Sequence, residues 1–199
     1  MMTEAEHNGR TRIVLTGGPG GGKSTAADMF RREIGDRVVV VPEAATILYG
    51  GGFPRPALEH ARRSTQQAIF HVQRNLEDVQ ARLYPDRVLL CDRGTIDGAA
   101  YWPGSPDDFF NAMGTTLARE FERYDAVIHF ESAAAGGIAI EGGNPVRNET
   151  LKEALLLDRK LQAIWSAHPH FHVIPHNASF LAKITQALRL LQSLVDANG

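Results

Sequence analysis

Arg12-Ile13-Val14-Leu15-Thr16-Gly17-Gly18-Pro19-Gly20-Gly21-Gly22-Lys23-Ser24-Thr25 is the stretch on which the reading of this chain turns. Arg12 to Thr16 is a short apolar run that stops at a glycine cluster, which predicts a strand. Lys23 to Glu33 predicts a helix, with Ala26, Ala27, Met29 and Phe30 for packing. Between the two, Gly17 to Ser24 satisfies G-x-x-x-x-G-K-[ST], in the strand-before, helix-after setting that a phosphate-binding loop (P-loop) requires. Glycines let the backbone curl until successive N–H groups face one anion, and the helix N-terminus adds partial positive charge. Gly17, Gly18, Pro19, Gly20, Gly21, Gly22, Lys23, Ser24 and Thr25 are therefore expected to hold a nucleoside triphosphate. Lys23 would reach the β- and γ-phosphates, Ser24 would ligate Mg²⁺, and Thr25 would lie near the α-phosphate.

Working outward, β-branched or apolar runs at Arg37–Val41, Arg87–Cys91, Ala126–Phe130 and Phe171–Ile174 predict four more strands. Helical patterns occupy Glu43–Tyr49, Arg55–Leu83, Asp107–Arg123, Glu149–Ala167 and Ser179–Val195. Strand and helix alternate, which predicts an α/β chain with a three-layer P-loop NTPase fold: a five-stranded parallel sheet with helices on both faces. Residues 10–199 are expected to form one domain, preceded by a disordered extension at 1–9. The small, glycine-rich stretch at about 132–147 reads as a mobile lid.

In such a sheet the ligand lies beyond the C-terminal strand ends, so the polar residues there are the candidates for chemistry. Asp92 follows Val88-Leu89-Leu90-Cys91, an apolar run closed by an acid, and is expected to hold Mg²⁺ together with Ser24, directly or through water. Arg93 would offset charge on the transferring phosphate, or belong to a solvated turn. Glu43 ends the second strand. It would take a proton from an attacking hydroxyl, position water for hydrolysis, or cap the short helix that follows. Arg147, in the lid, would close over the phosphates or remain an ordinary surface arginine. Lys23, Glu43, Asp92, Arg93 and Arg147 are thus the candidate catalytic set.

Composition narrows the function class. The 199 residues carry 21 Lys and Arg against 23 Asp and Glu, a formal net charge of −2, which argues against a polyanion-coating surface and nucleic-acid binding. One cysteine, Cys91, excludes an intramolecular disulfide and suits a reducing compartment. No apolar stretch reaches the length of a membrane helix, and the polar, acidic first ten residues lack the apolar core of a signal peptide. A cytoplasmic location is expected. The histidines at 168, 170, 172 and 176 are read as structural or surface groups, and Cys91 as packing. Gln66, Gln67 and Gln73 on the long helix, and Tyr101 after the Asp-Arg-Gly segment, are open between packing, solvation and substrate contact.

Val40-Val41-Pro42-Glu43 resembles the glutamate-bearing strand end of deoxynucleoside kinases, and Asp92-Arg93-Gly94 resembles their acid-Arg-Ser motif, with glycine in the third place. The ordered set also resembles the AAA-type P-loop ATPase/kinase family that includes the nicotinamide riboside kinase domain. That set is the P-loop, Pro-Glu-Ala-Ala, Asp-Arg-Gly, Tyr124-Asp125-Ala126-Val127 and Arg147. The resemblance implies a nucleoside/nucleotide kinase-like fold, Glu43 as base, and a small, nucleoside-like phosphoryl acceptor. A glutamine on the long helix would read the base. The alternative is an ATPase or GTPase that hydrolyses nucleotide and switches a partner, with Glu43 or Glu131 orienting water. No Asn-Lys-x-Asp guanine motif is found, so ATP with Mg²⁺ is the expected nucleotide.

Overall fold

The computed structural model describes residues 11–136, 150–177 and 179–197. The N-terminal extension at 1–9, most of the glycine-rich lid and Arg147 lie outside the described residues. Five strands, β1 (Arg12–Thr16), β2 (Val38–Val41), β3 (Val88–Asp92), β4 (Ala126–Phe130) and β5 (Phe171–Ile174), form one sheet in the order β2-β3-β1-β4-β5. Every neighbouring pair is parallel, with Leu15 opposite Asp92 on one side and opposite Ile128 on the other. The expected five-stranded parallel sheet is what forms.

Helices α1 (Lys23–Ile34), α2 (Ala44–Gly50), α3 (Glu59–Leu83), α4 (Gly98–Tyr101), α5 (Pro106–Ala112), α6 (Leu117–Phe121), α7 (Leu151–Trp165) and α8 (Phe180–Ala197) flank the sheet. Successive strand residues point to opposite faces, so β1 sends Ile13 and Leu15 one way and Val14 the other. Ile13 and Leu15 join Leu90, Ile128 and Ile174 under α1 and α8, which supply Phe30, Ala187 and Leu191. Val14 joins Leu89, Cys91 and Val127 under Phe70, Phe109 and Trp165. Continuous apolar strands are the sequence signature of a sheet covered on both faces.

Two of the expected helices differ from the sequence reading by more than two residues. The helix expected at Asp107–Arg123 is two short ones, α5 and α6, because the chain turns at Gly114 with φ 67°. Ser105 and Thr116 cap them, accepting from the backbone N–H groups of Asp108 and Arg119. The long helix starts at Glu59, four residues later than its polar–apolar pattern suggests. In α7, a capping box of Thr150 and Glu153 fixes the first turn. No helix among the described residues is long and apolar enough to cross a membrane.

Beneath the strand ends, α3 presents a buried stripe in which three of the members are polar: Gln66, Phe70, Gln73, Glu77 and Ala81. Glu77 is fully buried, and burial pushes its carboxyl upward. Arg123 answers it with an Nη2 bond of 2.8 Å, and the Tyr124 hydroxyl donates to it at 2.9 Å. Tyr124 in turn accepts from Thr95 N at 2.8 Å, which ties the segment after β3 to the start of β4. Removing one partner of a buried ion pair leaves the other uncompensated. Glu77→Ala should therefore lower unfolding free energy by about 3–5 kcal/mol. Urea denaturation measures this, and a loss under about 1 kcal/mol would show that the network is dispensable.

Candidate active site

The P-loop is built by crowding as much as by glycine freedom. Gly17 has φ 127°, and a Cβ there would lie 2.1 Å from the Phe130 carbonyl oxygen of β4, so no side chain fits. Gly20 and Gly22 are also left-handed, at φ 73° and 86°. Gly22 caps α1 without a side-chain bond, and the first turn of α1 contains no acid, so its N–H groups and dipole face the loop uncompensated. Lys23 is 2% exposed, and its Nζ donates to the carbonyls of Gly17 and Gly18 at 2.8 Å each. The ammonium is thereby held inside the curl of the loop. Ser24 and Thr25 are exposed on the first turn of α1.

Other elements brace this loop, through residues the sequence reading missed. Asp158 of α7 accepts from Gly18 N at 2.6 Å. Burial opposes its ionisation, yet the adjoining His129 ring and the Gly18 N–H hold its carboxyl below the usual range. Ser132 Oγ donates to the Pro19 carbonyl at 2.6 Å. Lys183 of α8 donates to the carbonyls of Gly21 and Glu131 at 3.0 and 2.6 Å. Burial lowers its ionisation to about 8. A signal was present in the sequence: Asp158 falls on the stripe Ala154, Asp158, Leu161, Trp165, and Lys183 on Lys183, Ala187, Leu191, Val195. A charge at a core position of an apolar stripe asks for a buried partner.

Asp92 is the last residue of β3, and Ser24 Oγ donates to its Oδ2 at 2.7 Å. Its Oδ1 is buried without a hydrogen-bond partner among the described residues. Burial and the neighbouring Glu43 charge push this carboxyl upward, against the pull of Lys23. A hydroxyl and an unsatisfied carboxylate oxygen side by side are the hard oxygen donors that magnesium takes from a protein, its remaining positions being filled by phosphate and water. The residues present fit that ion.

Arg93 follows Asp92 and is 6% exposed. It is the one non-glycine residue among those described with positive φ, at 74°. Its Nε donates to Glu43 Oε1 and its Nη1 to Asp97 Oδ2, both at 2.7 Å. Burial opposes the charge, but Tyr101 and these carboxylates raise the guanidinium well above its ordinary value. Glu43 stands at the N-cap position of α2 without capping it. Its other oxygen accepts from the Thr46 hydroxyl at 2.5 Å. Asp97, which sequence reading did not single out, also accepts from Thr16 Oγ1 at 2.9 Å and Trp165 Nε1 at 2.7 Å. Trp165 accounts for the glycine in Asp-Arg-Gly, since a Cβ on Gly94 would meet its ring at 2.9 Å.

Glu43 and Arg93 border a cleft lined by Thr46, Tyr49, Gln66, Phe70, Gln73, Asp97 and Tyr101, among others. The two glutamines differ in use. Gln73 Oε1 accepts from Ala44 N at 3.0 Å, and its Nε2 donates to the Arg93 carbonyl at 3.1 Å. It clamps the ends of β2 and β3 together, so its amide is engaged with backbone. Gln66 and Tyr101 face the cleft, whereas Trp102 is buried with Nε1 on Asp108.

The other sequence candidates lie apart from this cleft. Cys91 is buried in β3, its thiol pushed upward by burial. His168 packs against the Tyr124 carbonyl at 2.9 Å, and His176 N donates to the Glu131 carboxylate. Among the described residues, no group of three His, Cys, Asp or Glu side chains is arranged to hold a metal on its own.

No curated protein matches this chain. Among solved structures, deoxyadenosine kinase from M. mycoides with bound dATP superposes with a TM-score of 0.63, over 92% of this chain and 100% of that one, at 13% identity. That likeness establishes the fold: an α/β P-loop architecture of the nucleoside kinase kind. Residues 12–180 match the family described as AAA domain, from β1 to the first residue of α8, with the P-loop and the strand-end residues inside the match. This chain belongs to that AAA domain family, and it is a P-loop nucleotide-binding domain.

Proposed function

We propose that the protein is a small-molecule kinase that moves the γ-phosphoryl group of ATP to a hydroxyl of a nucleoside-like acceptor. The observation that carries this is the Glu43–Arg93 pair at 2.7 Å, set beside Asp92 and opening onto a cleft with aromatic and amide walls. A hydrolase needs room for one water, whereas this cleft has walls suited to an organic ring. The similarity to a deoxyadenosine kinase with bound dATP supports a purine nucleotide and a nucleoside-type acceptor. The single cysteine and the lack of an apolar spanning helix among the described residues support a cytoplasmic site of action.

In this reading the loop N–H groups and Lys23 bind the β- and γ-phosphates, and Thr25 lies towards the α-phosphate. Ser24 and Asp92 would hold magnesium, which supplies charge neutralisation to the phosphates when bound. Glu43 accepts the acceptor's hydroxyl proton as the new oxygen–phosphorus bond forms. The bond from the γ-phosphorus to the β,γ-bridging oxygen breaks, and ADP leaves. Arg93 keeps Glu43 oriented and places positive charge beside the transferring group. Arg147, from the glycine-rich segment, would add a second arginine over the phosphates.

Lys23→Ala should abolish phosphotransfer. Glu43→Gln should lower kcat by about 10²–10⁴-fold with ATP affinity retained. Turnover of the Glu43 variant at the parental rate would remove Glu43 as base, and phosphate release without a phosphorylated product would identify a hydrolase instead. Lys183 generates a pH prediction. It contributes its charge to the P-loop below about 8 and loses it as pH rises through that value. ATP affinity should therefore weaken from pH 7 to pH 9.5, and Lys183→Met should bind more weakly at pH 7 with a flat profile. Calorimetric titration showing a flat profile in the parent protein would exclude this contribution.

A further inference from the structure

Two arginines line the cleft, a third is tied to the backbone of a lining residue, and their partners differ. Arg93, at the floor, is neutralised by Glu43 and Asp97. Arg55 lines the cleft with its guanidinium carbon 4.0 Å over the Tyr49 ring. Arg62 donates Nη2 to the Tyr101 carbonyl at 3.1 Å. Neither Arg55 nor Arg62 has a carboxylate partner among the described residues. The adjacent Arg63 shows the contrast, because it is tied to Asp108 at 2.8 Å and to Glu59 at 3.5 Å.

Tyr49 and Tyr101 both line the cleft, the first on α2 and the second at the end of α4. The two arginines are thus anchored on different walls, by contacts that leave their charge uncompensated. A guanidinium stacked on a ring keeps its N–H edge available, and one bonded once to a carbonyl retains most of its five donors. Both are exposed, so each can be reached from solvent. Tyr49 comes six residues after Glu43, which places it roughly 9 Å further along the α2 axis at 1.5 Å per residue. A ligand with its hydroxyl at Glu43 would extend that far to reach Arg55.

We infer that the acceptor is a hydroxyl compound bearing a phosphate or carboxylate group, and that Arg55 and Arg62 read this anionic group while Glu43 receives the hydroxyl. The fate of the hydroxyl rests on the kinase reading above; the anion site rests on the two arginines. Arginine is suited to this because its planar fork matches the oxygens of either group.

The test is calorimetric titration of the full chain saturated with magnesium and a non-hydrolysable ATP analogue, so that the P-loop is filled. Matched pairs are compared: adenosine with 3′-AMP and 5′-AMP, ribose with ribose 5-phosphate, and glycerol with glycerol 3-phosphate and glycerate. At least one charged member should bind about tenfold or more tightly than its neutral parent. The preference should fall with added salt. It should disappear in the Arg55→Ala, Arg62→Ala double variant and partly return with lysine at both positions. Which member wins separates phosphate from carboxylate. Equal affinity within every pair, a preference that survives the double variant, or no binding by any charged member would overturn the inference. Turnover with ATP is scored separately. Charged-member binding without a phosphorylated product would sink the kinase reading and leave the anion site standing, whereas efficient phosphorylation of neutral acceptors alone would do the reverse.

Discussion

Arg93 sits buried, in the left-handed region of backbone space, with a carboxylate on each side of its guanidinium. A non-glycine residue with φ near 74° costs on the order of 1–3 kcal/mol. Burying a guanidinium costs several more unless its charge is answered. Glu43 and Asp97 answer it, at 2.7 Å each, and the backbone is held from both sides. Its N–H continues the sheet to Leu15 at 3.0 Å, and its carbonyl accepts from Gln73. Removing either carboxylate would leave a partly unpaired cation at the meeting point of β2, β3 and the turn that follows. The geometry of the proposed base therefore depends on an arginine kept in an unfavourable conformation by everything around it.

The P-loop depends on distant residues in a comparable way, although its motif is local. Its sequence specifies the curl, but Phe130, Asp158, Lys183 and Ser132 decide where the curl sits. They do so through one steric wall and hydrogen bonds of 2.6–3.0 Å. These groups come from β4, α7, α8 and the segment after β4. With its backbone so engaged, the loop needs little reorganisation to receive an anion, which is the condition for electrostatic stabilisation to be large.

This difference explains what could be read from the chain alone. Strand β1 and the P-loop were legible because the fourteen neighbouring residues from Arg12 to Thr25 carry their own instructions. Glu43, Asp92 and Arg93 were legible as positions because strand ends in a parallel sheet converge. The placing of Glu43 against Arg93, fifty residues away, was not. Asp97, Asp158 and Lys183 escaped notice since each occupies a helical or turn position whose partner lies on another element. Glu77 could have been suspected beside Gln66 and Gln73, as the third polar member of one buried stripe. The split of Asp107–Arg123 was hidden because Phe109, Phe110, Leu117 and Phe121 keep up an apolar rhythm across Gly114, and a single left-handed glycine overrides it. Gln73 shows the reverse hazard: resemblance suggests a substrate reader, while both ends of its amide are occupied by backbone groups just beyond β2 and β3.

The strand order assigns the remaining roles. β1 is central, with β3 and then β2 on one side and β4 and then β5 on the other. The crossover from β1 runs to β2 on one side, and the connection from β3 passes to β4 on the other, which opens a crevice at the C-terminal end of β1, the usual place for a ligand in such sheets. The groups bracing the P-loop come from the β4–β5 side, and the groups forming the cleft come from the β3–β2 side. Asp92, paired with Leu15 in register and bonded to Ser24, lies where the two halves meet. A phosphoryl group bound by the loop would be presented towards Arg93 and Glu43 without any rearrangement of the sheet. The charges follow the same division: the α1 N-terminus and Lys23 lie at the P-loop, a neutralised carboxylate–arginine cluster occupies the junction, and Arg55 lines the cleft with no carboxylate partner among the described residues. On the kinase reading and the anion site inferred above, that ordering would suit an acceptor with a hydroxyl at one end and an anion at the other, a pattern that a neutral nucleoside meets only halfway.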